Sequence, residues 1–254
     1  MQATRLRNAL KAVLPPIFVE AVCALRRKDK DTQREGPRDL PDGEFYRPRF
    51  SPWEGFGEFR EVMAAVSPHS LVSPDRVWIL YTLAQQARHL PGNFWECGVY
   101  KGGTAIMLAS VISSAPGKQL HLFDTFGGMP SVNSDYDNYH ISGDFSDTSL
   151  ETVRRRVGED AHIFYHAGFV PDTFGGLEAE RIAIAHIDVD IYQSVIDCCT
   201  FIYPRLSGGG FMVFDDYGFV TCAGARMAVD EFFVDKPDRP LVLPTGQAVV
   251  IKVP

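Results

Sequence analysis

From residue 93 onward, short apolar runs alternate with stretches of helical period, and this alternation limits the fold more than any other feature. The runs are 93–97, 119–123, 162–165, 182–187 and 210–214, and helical periods fill 103–113, 148–157, 192–206 and 223–233. An earlier helix starts at Ser73-Pro74-Asp75, an N-cap followed by proline in the first turn, and its stripe Val77, Leu80, Leu83, Ala84 carries it to about Arg88. Strands separated by helices pair in parallel, because each crossover returns the chain to the same end of the sheet and covers a face. The chain closes with 241–243, a Pro244-Thr245-Gly246 turn and 248–253, which adds an antiparallel pair at one edge. The expected fold is α/β: a doubly wound, mostly parallel seven-stranded sheet over 53–254.

Residues 1–52 read as an N-terminal helix and an arm. The arm carries Pro37, Pro41, Pro48 and Pro52, with Phe45, Tyr46, Phe50 and Trp53, aromatics that a free linker does not need. Residues 1–40 hold nine basic and five acidic side chains, a local +4, so a chain of net charge −7 carries −11 elsewhere. The acidic body argues against nucleic acid as a partner. The basic segment either makes weak contact with an anionic membrane surface or a partner chain, or is a plain helix and polar linker. No run reaches the roughly 18 apolar residues of a membrane span. Pro15-Pro16 and Glu20 break the one segment that a signal peptide would need uninterrupted. The cysteines at 23, 97, 198, 199 and 222 are odd in number and form no C-x-x-C pair, which fits a reduced cytoplasmic chain with buried thiols. A homo-oligomer acting on a small-molecule or glycan acceptor is expected.

The turn Glu96-Cys97-Gly98-Val99-Tyr100-Lys101-Gly102-Gly103-Thr104 follows the first strand and opens a helix. In a doubly wound sheet this is where a nucleotide-like ligand lies. Gly98, Gly102 and Gly103 let backbone approach the ligand, and the helix N-terminus offers N–H groups. The spacing is G-x-x-x-G-G, not the dehydrogenase G-x-G-x-x-G. Glu96 suits a sulfonium or ammonium charge, while Gly103 and Thr104 suit a carboxylate, and S-adenosylmethionine carries all three. Asp124, ending the second strand, is expected to hold the ribose hydroxyls. Gly168 and Phe169, after the third strand, are expected to flank the adenine.

Two later strands end in paired aspartates, Asp188 with Asp190 and Asp215 with Asp216. Four carboxylates at neighbouring strand ends repel one another unless protons or a cation intervene. An all-oxygen set suits Mg²⁺ or a similar hard ion. Strand alternation puts Asp188 and Asp190 on one side. Asp188, Asp215 and Asp216 are assigned to the metal and Asp190 to the general base, a division that spacing alone leaves open between Asp188 and Asp190. His186 reads as a satisfied packing residue, and His140 receives no role. The stretch 127–150, long, acidic and aromatic, reads as a lid over the acceptor together with 45–53.

These residues, with Leu122-Phe123-Asp124-Thr125-Phe126-Gly127-Gly128-Met129-Pro130, Pro171-Asp172-Thr173, His186–Tyr192 and Phe214-Asp215-Asp216-Tyr217, resemble the macrocin O-methyltransferase family over roughly 70–254. Its relatives methylate sugar hydroxyls in macrolide and aminocoumarin antibiotic biosynthesis. The resemblance implies a class I methyltransferase fold, S-adenosylmethionine as donor and Mg²⁺-dependent transfer to a hydroxyl. It also implies metal ligation by Asp188, Asp215 and Asp216, with Asp190 as base. A nicotinamide-dependent oxidoreductase, a metal-dependent hydrolase and a non-catalytic binding protein remain as rival readings of the same sheet.

Overall fold

The computed structural model describes residues 51–254, which form one compact unit. The N-terminal helix and the arm up to residue 50 lie outside the described residues. Among the described residues, helix α1 spans Phe59–Val66, and α2 spans Pro74–Ala87. The sheet and its helices follow as β1 (Asn93–Cys97), α3 (Gly103–Ser113), β2 (Leu120–Asp124), α4 (Leu150–Val157), β3 (Ile163–Ala167), β4 (Ile182–Ile187), α5 (Tyr192–Ile202), β5 (Leu206–Phe214), α6 (Ala223–Phe233), β6 (Leu241–Val242) and β7 (Ala248–Ile251). The strand order is β3-β2-β1-β4-β5-β7-β6. β1 to β5 pair in parallel, and β7 joins β5 and β6 antiparallel. The doubly wound, mostly parallel sheet with a terminal hairpin is therefore as the sequence implies.

Two boundaries differ by four residues, each for a local reason, and one helix is added. α5 stops at Ile202, because Pro204 cannot continue it, and the chain passes into a 3₁₀ turn at Tyr203–Arg205. β5 begins at Leu206, four residues early, with an irregularity between Ile182 and Ile184 on its partner strand taking up the glycines. The short helix α1 was not expected. It buries Phe59 and Val66, and Phe59 meets Trp78 of α2 edge-on at 4.9 Å.

Alternation along the buried strands sorts the core into two layers. Phe94, Leu120, Leu122, Ile184 and Val213 pack with Val77, Leu80 and Ala84 of α2 and with α3. Trp95, Phe123, Ala185, Met212 and Phe214 pack with Val195, Cys198, Cys199 and Ile202 of α5 and with α6. Cys198 and Cys199 are fully buried fillers, as the sequence implies. Each large aliphatic side chain so buried contributes about 1.5–3 kcal/mol. The sheet is thereby held rigid beneath the carboxyl ends of β1, β2, β4 and β5, where the order reverses between β1 and β4.

Candidate active site

A cavity of about 290 Å³ opens at that reversal. Its wall includes Val99, Tyr100, Thr104 and Asp124 from the first two strand ends, and all four of Asp188, Asp190, Asp215 and Asp216. The stretch after β2 closes over it with Gly128, Met129, Pro130, His140 and Phe145. This part of the expected lid is therefore at the cavity, while 45–50 lies outside the described residues.

The glycine turn is shaped by protein as much as by any ligand. Gly98 has φ +87°, and a Cβ there would lie 1.8 Å from the Asp188 carbonyl oxygen. The exit of β1 thus runs directly over the exit of β4. A Cβ on Gly103 would meet Ser70 at 2.5 Å, and one on Gly102 would meet Val157 at 3.1 Å. None of the three glycines lines the cavity; Val99, Tyr100 and Thr104 do. Asp124 accepts from the Val99 and Tyr100 N–H groups at 2.7 and 2.9 Å and from Phe126 N–H at 2.6 Å. It braces the turn and still faces the cavity. Gly168 and Phe169 do not reach the cavity wall, and Phe169 is half exposed.

Glu96 lies behind the cavity wall. It faces inward from β1, fully buried, and its Oε1 is 2.9 Å from His186 Nδ1, its register partner on β4. Neither Glu96 nor His186 lines the cavity; His186 stands between Glu96 and Asp215, which does. His186 in turn is not the satisfied packing residue expected. Its Nε2 is buried without a hydrogen bond, 3.6 Å from Asp215 Oδ1. Burial opposes its charge, but Asp215 and Glu96 overcome this and push the imidazole pKa up to about 10.

Asp215 is held on three sides. Arg76 of α2 donates to its Oδ2 through Nη1, Gln247 Nε2 donates to Oδ1 at 2.8 Å, and His186 stands beside it. Burial favours the neutral acid, yet His186, Arg76 and Gln247 keep its pKa below the usual carboxylate value. Asp188 and Asp216 are covered less well. Burial, and then the charge of Asp215 on Asp188 and of Asp190 on Asp216, push both well above their ordinary values.

Asp190 does not face the cavity by strand alternation, because β4 ends at Ile187. The chain turns instead, with Asp190 at φ +59° and its N–H donating to Asp216 Oδ2 at 2.9 Å. Burial raises its pKa, offset in part by His140.

The carboxylates fit a hard divalent ion in donor type and charge. Asp188 and Asp215 each bring a carboxylate oxygen within 4.8 Å of the other, beside the charged His186 ring. The buried repulsion on Asp188 and Asp216 is the kind a dication relieves. Asp216 stands outside that closest group, beside Asp190. Arg76, His140, Phe219 and Cys222 also line the cavity, and the sequence reading gave none of them a role there.

The macrocin-O-methyltransferase (TylF) family model matches residues 67–240. The chain belongs to the macrocin O-methyltransferase family. As a member it is an S-adenosylmethionine-dependent O-methyltransferase. It is 30% identical over 180 residues to mycinamicin III 3''-O-methyltransferase of Micromonospora griseorubida, covering 65% of this chain and 70% of that one. It is 32% identical over 148 residues to 8-demethyl-8-(2,3-dimethoxy-alpha-L-rhamnosyl)-tetracenomycin-C 4'-O-methyltransferase of Streptomyces olivaceus, covering 54% and 57%. The solved O-methyltransferase NovP superposes with a TM-score of 0.66 at 23% identity, over 73% of this chain and 83% of that one. That likeness shows a shared fold. No helix among the described residues is long and apolar enough to cross a membrane.

Proposed function

We propose that the chain moves a methyl group from S-adenosylmethionine to a hydroxyl of a sugar or glycosylated small molecule, with Asp188, Asp215 and Asp216 holding Mg²⁺ or a similar ion and Asp190 as general base. One observation carries this reading. A single cavity is walled both by the β1–α3 turn and by all four strand-end aspartates. Donor and acceptor chemistry thus share one enclosure. The acceptor class is supported by the two relatives, one a methyltransferase of a rhamnosyl tetracenomycin and the other of mycinamicin III at its 3'' position. Phe145 and Phe219 in the wall supply the aromatic faces that suit a sugar ring.

On this reading Thr104, Asp124, Val99 and Tyr100 hold the donor, and Gly98, Gly102 and Gly103 shape the turn. Glu96 acts at one remove, by charging His186. When bound, the cation supplies Lewis-acid charge that lowers the pKa of the acceptor hydroxyl. Asp190 takes the hydroxyl proton. Its raised pKa suits that task, because a base accepts best when its pKa approaches the working pH. Arg76 and His186 keep Asp215 ionised, and Met129, Pro130 and Phe145 shield the cavity from water. The four described cysteines are free and buried, which supports a cytoplasmic setting.

The test is Asp190→Asn with product mass and donor calorimetry as readouts. Donor binding should persist while turnover falls by about 10²–10⁴-fold. Full turnover in the variant would reassign the base. Turnover that survives chelation of divalent ions would remove the cation from the mechanism.

A further inference from the structure

His140 and Cys222 have no part in the reaction above, yet they meet Asp190 at one corner of the cavity wall. The three come from separate segments: the loop between β2 and α4, the exit of β4, and the turn before α6. His140 Nε2 is 3.6 Å from Cys222 Sγ and 3.7 Å from Asp190 Oδ1, and Cys222 Sγ is 3.6 Å from Asp190 Oδ1. As hydrogen bonds these contacts are poor. The nitrogen–oxygen separation is too long for one, and the other two rely on a weak thiol.

We propose that His140, Asp190 and Cys222 form a binding site for Zn²⁺ or a similar borderline-soft ion, separate from the hard-cation set, that latches the loop over the cavity. A tetrahedral Zn²⁺ bound by nitrogen, oxygen and sulfur at about 2.0–2.3 Å spaces its donors roughly 3.3–3.6 Å apart. The three atoms already stand within a few tenths of an ångström of that triangle. All three residues line the cavity, which leaves room there for a fourth ligand, as in an open site.

A second observation points the same way. His140 Nδ1 lies 3.3 Å from Asp144 Oδ2, so a carboxylate orients the ring with Nε2 toward the triangle. This carboxylate–histidine pairing is what fixes metal-ligating imidazoles. Sulfur and imidazole donors also select against Mg²⁺, which prefers oxygen. Binding replaces the Cys222 S–H bond with a sulfur–metal bond and releases that proton to solvent. No electron is transferred. One thiolate and one carboxylate then balance the charge of the ion.

An ion at this site would occupy Asp190 and block the cavity, so Zn²⁺ should inhibit methyl transfer. That corollary rests on the proposed function; the binding itself does not. The experiment is to strip the full chain of metal and titrate it with Co²⁺, a spectroscopic stand-in for Zn²⁺. The expected result is a thiolate-to-cobalt charge-transfer band that Zn²⁺ displaces. Cys222→Ser should abolish the band. His140→Gln should weaken Zn²⁺ binding by more than the roughly 10–100-fold that loss of an outer partner costs. Asp215→Asn, in the other set, should leave the band in place. Absence of the band in the unmodified protein, or its survival in Cys222→Ser, would overturn the site. A thiolate band without methyl transfer would count against the proposed function alone, and methyl transfer without the band against this inference alone.

Discussion

Arg76 and Asp215 stand 139 residues apart in the chain and form a buried ion pair at the end of β5, the guanidinium donating to Asp215 Oδ2. Asp215 is fully buried and the Arg76 side chain is 12% exposed. Arg76 supplies a built-in positive charge beside Asp215, one of the carboxylates proposed to hold the cation. Phe219 lies beneath the guanidinium, 4.8 Å from its carbon, and fixes its approach.

Arg76→Gln should therefore lower the melting temperature most when divalent ions are absent. Breaking a buried pair costs about 3–5 kcal/mol, because the remaining charge has no partner. Mg²⁺ should restore more stability to the variant than it adds to the unmodified protein, since a dication can take over part of the task. Thermal melts with chelator and with Mg²⁺ check this. An equal Mg²⁺ effect on both proteins would show that Asp215 does not share its charge with the ion.

Asp137 anchors the loop that closes the cavity. It is buried, and both of its oxygens accept from the Tyr192 N–H at the start of α5, at 3.2 and 3.1 Å. Tyr136 stacks on Tyr192 at 4.1 Å. Asp137→Ala should cost about 1–2 kcal/mol as a lost helix cap and expose residues 130–145 to faster proteolysis. Acceptor KM should rise more than kcat falls. Gly224 leaves the room this anchor needs: a Cβ there would lie 2.0 Å from Asp137 Oδ1. Gly224→Ala should give the same phenotype, and the double variant should be less than additive.

Gly98→Ala should damage donor and metal sites together. The new Cβ would clash with the Asp188 carbonyl at a backbone angle that L-residues rarely adopt. The exit of β4, which carries Asp188 and Asp190, must then move. Calorimetry should find both donor affinity and Mg²⁺ affinity reduced; loss of one with the other intact would show that the two strand ends are not mechanically joined.

The parts legible in the sequence are those written in short periods. Alternating runs give the sheet, Ser73-Pro74 gives the start of α2, and the two aspartate pairs mark adjacent strand ends. The glycine turn was legible, but its cause was not, because Gly98 answers to Asp188, ninety residues on. The partner of Glu96 was hidden for the same reason: His186 is ninety residues away and meets it only through the β1–β4 register. Asp137, His140 and Cys222 sit in loops whose paths no periodicity sets. Alternation does not set the direction of Asp190, because β4 ends at Ile187.

The paired imidazoles on β2 and β3 should make stability fall in mild acid. His121 Nδ1 lies 3.1 Å from His166 Nε2, and the rings stack with centroids 5.3 Å apart. Burial, and then the neighbouring His166, lower the His121 pKa to about 4; burial lowers that of His166 as well. Both groups therefore favour the neutral form when folded. The unfolded chain takes up protons at the ordinary histidine value near 6.5, so this stabilisation is complete above pH 6.5 and is lost as pH falls from there toward 4. The raised pKa values of Asp188 and Asp216 act in the opposite sense, so the difference between variant and parent is the quantity to measure. His121→Phe with His166→Phe, replacing rings by rings, should remove a loss on the order of 2 kcal/mol between pH 6.5 and 4. Denaturant titrations at several pH values check it. Parallel curves for parent and variant would mean that the pair takes up its protons without opposing the fold.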